Sequence, residues 1–293
     1  MIQTSRKTLP VLRTPGEMRE WSRSNRAEGK TVGCVPTMGA LHEGHLSLIR
    51  KSASECDVTI VTIFVNPIQF GPSEDLANYP RDEESDLRMS AEAGADVAYC
   101  PGVEEMYRPD ASVYVVEDKL SRFLCGKSRP VHFRGVTTVV AKLFNACCPD
   151  RAYFGLKDYQ QYLVIKRMAR DLDFPVEIVP CPIIREDDGL AMSSRNRYLS
   201  ESERADALCL KKALDIAQEA FDFGERNARA IERNAREEIG RESSARIDYV
   251  ECRDAESLEE IETIRKPAVL ALAVFVGSTR LIDNIVLVPA KEA

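Results

Sequence analysis

Two valine-rich runs flank a helical segment, and this arrangement constrains the fold more than any other feature of the chain. Val32-Gly33-Cys34-Val35-Pro36 is short and apolar, and Asp57 to Pro67 is a second β-branched run. Between them, residues 43–55 carry Leu46, Ile49 and Ala53 at helical spacing. Strand, helix and strand in roughly 35 residues is the length of a βαβ unit, whose two strands run parallel. The alternation continues. Residues 83–94 read as helix, 96–99 as strand, 136–148 as helix, 151–155 as strand, 158–172 as helix and 176–184 as strand. Such a chain makes a mostly parallel sheet with helices on both faces. Residues 1–185 are therefore expected to form a Rossmann-like, doubly wound α/β domain.

The pattern changes after residue 185. Residues 201–241 are charged, rich in Ala and Glu, and helical in character. Residues 247–254, 268–277 and 278–288 read as strands, with a helix near 256–263. Residues 186–293 are expected to form a smaller α+β C-terminal domain.

Charge and cysteine usage narrow the function. The net charge is −7, which argues against nucleic acid as a partner, since such binders usually carry a basic surface. Nine cysteines without a C-x-x-C read as reduced, buried thiols, and the Cys and His spacing offers no metal-ligand set. Residues 1–18 contain no apolar signal-peptide core. The longest apolar run, Ala268 to Val276, is nine residues, far short of the ~20 a membrane helix needs. The expectation is a cytoplasmic protein that does not engage a membrane.

Four segments carry chemistry. The first is Pro36-Thr37-Met38-Gly39-Ala40-Leu41-His42-Glu43-Gly44-His45, between a strand and a helix start. In open α/β sheets, ligands bind outside the carboxyl ends of strands, and helix N-termini suit phosphate. Two of the chain's three histidines lie here, three residues apart. Their imidazoles would donate hydrogen bonds to phosphate oxygens as charge builds in a transition state. The third, His132, sits in Arg129-Pro130-Val131-His132-Phe133-Arg134-Gly135, which reads as a loop.

The second segment is Phe64 to Gly71, where Asn66 and Gln69 offer neutral amides at a strand end. The bland alternative is an Asn-Pro turn. In the third, Phe154 to Gln161, Lys157 suits phosphate, and Asp158 either contacts a ribose hydroxyl or caps a helix. The fourth is Asp188 to Asn196, where Ser193, Ser194 and Arg195 suit a departing pyrophosphate or form a capped turn.

The H-x-G-H spacing is similar to that of class I nucleotidyltransferases and class I aminoacyl-tRNA synthetases, which attack the α-phosphate of ATP. The four segments together, with His132 to Val136 and Arg280-Leu281-Ile282-Asp283-Asn284, resemble the pantoate–β-alanine ligase family from about residue 30 to residue 287. The resemblance implies condensation of pantoate with β-alanine through a pantoyl-adenylate, with release of pyrophosphate and AMP. It implies ATP as substrate, Mg²⁺ as its companion ion, and a homodimer formed through the N-terminal domain.

It further implies an ATP site of Met38, Gly39, Ala40, Leu41, His42, Glu43, Gly44 and His45. That site would continue with Gly155, Leu156, Lys157, Asp158, Ile184, Met192, Ser193, Ser194 and Arg195. His45, His42 and Lys157 would be catalytic. Gln69, Gln161 and Asn66 would bind pantoate and β-alanine. The C-terminal domain would act as a lid that excludes water.

Two residues depart from the family pattern. Leu156 stands where the family usually has Glu. Val131 stands where it usually has Gly, and a β-branched residue would strain a positive φ. Two other enzymes share parts of the pattern. A nucleotidyltransferase making a dinucleotide or CDP-linked product would not require pantoate for AMP release. A tRNA-charging enzyme is disfavoured by the acidic charge. A non-catalytic descendant would bind ATP without turnover.

Overall fold

The structure, a computed structural model, describes residues 9–72 and 74–290. The first eight residues of the N-terminal segment considered above lie outside them. The elements run β1 (Val11–Leu12), α1 (Pro15–Ala27), β2 (Val32–Thr37), α2 (Glu43–Glu55), β3 (Val58–Ile63), α3 (Glu83–Ala93), β4 (Val97–Tyr99) and α4 (Val103–Met106). There follow α5 (Leu124–Ser128), α6 (His132–Cys147), β5 (Arg151–Gly155), α7 (Tyr159–Asp171), β6 (Glu177–Cys181), α8 (Glu201–Ala207), α9 (Cys209–Asp222) and α10 (Ala228–Ile239). Last come β7 (Ala245–Asp254), β8 (Ala268–Val276) and β9 (Thr279–Leu287).

The chain divides into two compact units. One contains the described residues through Glu117 together with Arg129–Leu156 and Val164–Pro182. The other contains Asp118–Ser128, Lys157–Leu163 and the described residues from Ile183 onward. Gln160 explains why two short pieces join the second unit. Its side-chain amide donates to the carbonyls of Leu120 and Phe123, and its oxygen accepts from Cys125 N.

The first unit holds a six-stranded sheet in the order β1-β4-β3-β2-β5-β6, with every pair parallel. From the central β2 the chain builds outward to β3 and β4 on one side, then crosses to β5 and β6 on the other. β2 pairs with β3 along its whole length, from Val32↔Val58 to Thr37↔Ile63. With β5 it pairs only at Gly33 and Cys34. The two strands therefore part toward their carboxyl ends, at the place where strand order reverses, and a ligand crevice belongs there. Val35, Ile49, Val61, Ala98 and Tyr153 are completely buried in one core of this sheet.

The second unit holds an antiparallel sheet, β7-β8-β9. β8 lies between two partners and is buried at eight of its nine positions, which explains its continuous apolar sequence. Leu210 and Leu214 of α9 and Ile231 and Ile239 of α10 pack with Val250, Leu270 and Leu272. Burying each such side chain contributes about 1.5–3 kcal/mol.

Three local expectations change. Residues 256–263 are not helical. Asp254 accepts from the backbone of Glu256 and Ser257, Leu258 takes φ +56°, and isolated bridges tie Glu260 to Arg253 and Thr263 to Asn227. His132 to Gly135 is the first turn of α6 rather than a loop. Val131 has φ −94°, so no strain follows from its side chain. All nine cysteines are free thiols, seven of them buried. Among the described residues, no helix is long and apolar enough to cross a membrane.

Candidate functional site

In the first unit, the chain leaves β2 through a tightly held turn. Thr37 Oγ1 donates to Thr62 O at 2.7 Å and accepts from Gly39 N at 3.2 Å. Gly39 takes φ +81°, and a Cβ there would sit 2.8 Å from Asp86 Oδ2. Asp86, on α3 and only 2% exposed, accepts from Ala40 N at 2.9 Å and Leu41 N at 2.8 Å. A buried carboxylate needs such donors, and here it fixes the backbone that leads into α2.

His42 is the N-cap of α2 and His45 its third residue. His42 Nδ1 accepts from Gly44 N at 3.2 Å, and His45 Nδ1 accepts from His42 N at 3.4 Å. The rings lie 4.1 Å apart, centre to centre. A ring nitrogen that accepts carries no proton, so in each neutral imidazole the proton belongs on Nε2. Two Nε2–H donors at a helix N-terminus suit a developing phosphate charge. Glu43 turns instead to Arg50, and that hydrogen bond holds its carboxyl below the usual range.

A second cluster of the same unit centres on Gln69. Tyr107 Oη donates to Asn66 Oδ1 at 2.8 Å. Burial pushes that phenol's pKa up, so it stays a donor. Asn66 Nδ2 donates to Gln69 Oε1 at 2.9 Å and to Gly135 O at 3.1 Å. Gln69 Nε2 lies 3.0 Å from Met38 Sδ. Asn66 is 1% exposed, so its amide serves to orient Gln69. The Gln69 carbonyl accepts from Arg129 Nη2 at 3.4 Å and contacts His132 Nδ1 at 3.0 Å. Gly135 permits this approach, since a Cβ there would lie 2.5 Å from Gln69 Cα. Gly155 ends β5, and Leu156 begins the 3₁₀ turn Leu156–Asp158.

In the second unit, Lys157 Nζ lies 3.8 Å from Asp158 Oδ2. Lys157, Ser193, Asn196 and Asp283 line one small cavity. Residues 184–192 form a hairpin in which Met192 N donates to Ile184 O at 3.0 Å and Arg185 bridges Ala191. Ser193 Oγ accepts from Arg195 N and caps the 3₁₀ turn Ser194–Tyr198. The capped-turn reading of this segment thus describes its local structure, whatever ligand it also meets. Gln161 is half-buried on α7, one residue after the structural Gln160.

Sequence reasoning passed over Asp86, Tyr107, Gln160 and Asn284. No local pattern marks them, because the contact that gives each its role spans 40 or more positions.

The profile of the Pantoate-beta-alanine ligase family matches residues 10–286. Pantothenate synthetase of Thermotoga petrophila is 53% identical over 279 residues, covering 95% of this chain and 100% of that protein. That of Caldicellulosiruptor saccharolyticus is 54% identical, covering 92% and 96%. The crystal structure of the Thermus thermophilus pantothenate synthetase matches with TM-score 0.90 and 42% identity, over 96% of this chain and 100% of that one. The Francisella tularensis pantoate-beta-alanine ligase, complexed with beta-gamma ATP and beta-alanine, matches with TM-score 0.77 and 32% identity over 94% and 97%. The profile and these relatives span nearly the whole chain, and the protein belongs to the pantoate–β-alanine ligase family, whose reaction is the ATP-dependent condensation of pantoate with β-alanine to pantothenate.

Proposed function

We propose that this chain carries out its family's reaction in two steps, using the residues singled out from its sequence. ATP is held by Met38 to His45, Gly155 to Asp158, Ile184 and Met192 to Arg195. Pantoate and β-alanine are held by Gln69 and Gln161, and Asn66, first read as a substrate contact, orients Gln69 from its buried position. In the first step a pantoate carboxylate oxygen attacks the α-phosphorus, the bond to the bridging oxygen breaks, and pyrophosphate leaves. His42 and His45 stabilise the charge through Nε2–H, and Lys157 meets the phosphates. In the second step the neutral amine of β-alanine attacks the acyl carbon. The bond to the adenylate oxygen breaks, AMP leaves, and the nitrogen loses a proton.

The observation that carries this reading is the paired use of Nδ1 as acceptor by both histidines, which puts the ring proton of each neutral imidazole on Nε2. The ATP and β-alanine named for the Francisella relative support the same ligands here. Mg²⁺ fits as a companion of the ATP phosphates. No group of three potential protein ligands occurs among the described residues, and Mg²⁺ typically keeps waters and phosphate oxygens instead. The ion would neutralise phosphate charge. The domain expected from residues 186–293 is the proposed lid, and a mixed anhydride needs water kept away. A cytoplasmic homodimer is the proposed setting. Exposed Val113, Tyr114 and Val116 on an extended run of the first unit supply apolar surface for it.

The test is release of AMP and pyrophosphate from Mg-ATP with pantoate and β-alanine supplied singly and together. AMP in equal amount to pantothenate, and only with both acids, is expected. ATP binding without turnover would replace this reading with a non-catalytic one.

A further inference from the structure

The run Arg280 to Asn284 has no part in the chemistry above, yet two of its polar residues are nearly inaccessible. Asp283 is 2% exposed and Asn284 5%, and in register they face Leu272 and Ala271 of β8. A carboxylate buried beside an apolar strand is costly unless it is fully paired. Asp283 meets that demand with Arg185. Arg185 Nη1 donates to Oδ2 at 2.6 Å and Nη2 to Oδ1 at 3.0 Å. Asn284 N adds a third bond to Oδ1 at 2.8 Å.

The same guanidinium donates to Gly189 O at 3.1 Å. Arg185 is thus fixed from β9 while it ties down the hairpin that carries Ile184 on one arm and Met192 on the other. Asn284 acts on a different segment. Its Nδ2 donates to the backbone carbonyl of Lys157 at 3.0 Å. Two adjacent strand residues therefore hold two separate pieces of the proposed ATP site, residues 184–192 and residue 157.

We propose that Asp283 and Asn284 are positioning residues for ATP, and that β9 sets the spacing between Ile184, whose backbone the family resemblance assigns to adenine, and Lys157, assigned to phosphate. The inference rests on the ATP-site assignment above. Neither residue is assigned a contact with substrate. Asp283 acts through Arg185, and Asn284 through the Lys157 backbone.

The experiment compares the full-length protein with Asp283→Asn and Asn284→Ala. ATP binding is measured by calorimetry, and KM, kcat and product inhibition by steady-state kinetics. Asp283→Asn keeps the side-chain shape and removes the charge. It should raise the Kd and KM for ATP by about 5- to 30-fold and weaken AMP inhibition similarly. Inhibition by pyrophosphate should weaken less than threefold, and KM for both acids should stay within twofold. Asn284→Ala should show the opposite split, with pyrophosphate inhibition weakened at least threefold and AMP inhibition little changed.

A lower thermal midpoint with unchanged ATP Kd and KM in both variants would reduce the pair to a purely structural role and overturn the proposal. Equal rises in all three KM values would overturn it as well. If Asp283→Asn does not fold, Arg185→Lys carries the same test, since it keeps the charge but loses the two-pronged geometry. ATP binding by the unaltered protein without acid-dependent AMP release would retire the ligase reading alone, and calorimetry on the variants would still decide the inference. Failure of the unaltered protein to bind ATP would overturn both.

Discussion

The turn after β2 and the hairpin at residues 184–192 are both irregular segments leading toward a helical turn, and they are held by different means. In the first unit, backbone N–H groups of Ala40 and Leu41 meet the Asp86 carboxylate, and a neutral chain runs from Tyr107 through Asn66 to Gln69. In the second, the anchors are ion pairs. Arg185 grips Asp283, and Arg204 pairs with both Glu186 and Asp188. Short, buried hydrogen bonds leave little freedom, which suits donors that must already be aimed when transition-state charge develops. Arginine pairs sit on longer side chains, and where they are part-exposed their strength falls with salt. In the proposed mechanism the first region places the reacting atoms, and the second grips nucleotide through a segment whose part-exposed Arg204 pairs weaken in salt.

The sharpest way to break this contrast is at His45. His45→Ala removes one Nε2–H donor and should lower kcat for AMP release by about 10²- to 10³-fold, the usual cost of one such donor. Calorimetric ATP affinity should move less than threefold, and circular dichroism should be unchanged. Near-normal turnover would take His45 out of the chemistry, and with it the claim that the first region aims the donors.

Asp86→Ala comes next. It strands two buried N–H groups beside Gly39, and about 3 kcal/mol of stability should be lost. Urea unfolding at low and high salt checks the mechanism. Because Asp86 accepts from the backbone N–H groups of Ala40 and Leu41, most of the loss should persist at high ionic strength. A loss that shrinks in salt would mean that a charge pair holds this loop too.

Gln69→Ala probes the neutral chain itself. It should raise KM for pantoate and β-alanine about 10-fold and KM for ATP less than threefold, on the scale of a buried amide that loses its hydrogen bonds. Equal changes for all three substrates would show that Gln69 mainly supports Met38 and the nucleotide loop.

Much of this was legible in the sequence, and the limits have physical causes. The helix at 43–55 and the strand at 151–155 emerge with the expected ends, because apolar periodicity and a following turn both mark them. The motif Met38 to His45 was readable because its chemistry is local: a cap, a helix start and two imidazoles. α1 was overlooked although Thr14 and Glu17 form a capping box, a signal that weighs little when the helix behind it is mostly polar. Residues 132–135 looked like loop because Pro130 and Gly135 read as breakers. Gly135 is there for the close approach of Gln69, a long-range reason that a local reading does not contain. The expected helix at 256–263 lost to an Asp254 turn and to isolated bridges with Arg253 and Asn227. The buried roles of Asp86 and Asp283 were invisible for a related cause. A buried carboxylate and a surface one look the same until the partner from elsewhere in the chain is known.

One pair crosses the divide and yields the smallest expected effect. Glu74 and Arg129 form an ion pair in the first unit, and Arg129 also reaches the Gln69 carbonyl. Burial pushes the Glu74 carboxyl up, but hydrogen bonds and charge from Arg129 outweigh it and leave the pKa below the ordinary value. A depressed folded-state pKa stabilises the protein above the unfolded value of about 4.3, and that contribution is lost as pH falls through the folded value. Glu74→Gln should therefore cost about 1 kcal/mol or less at pH 7, as expected for a part-exposed pair. The gap from the parent in urea unfolding should then close as pH falls from about 5 toward 3. A gap of constant size across that range would mean that Glu74 contributes through packing alone. Gln69 would then be held by neutral bonds throughout, and the contrast between the two regions would be sharper than the ion pair suggests.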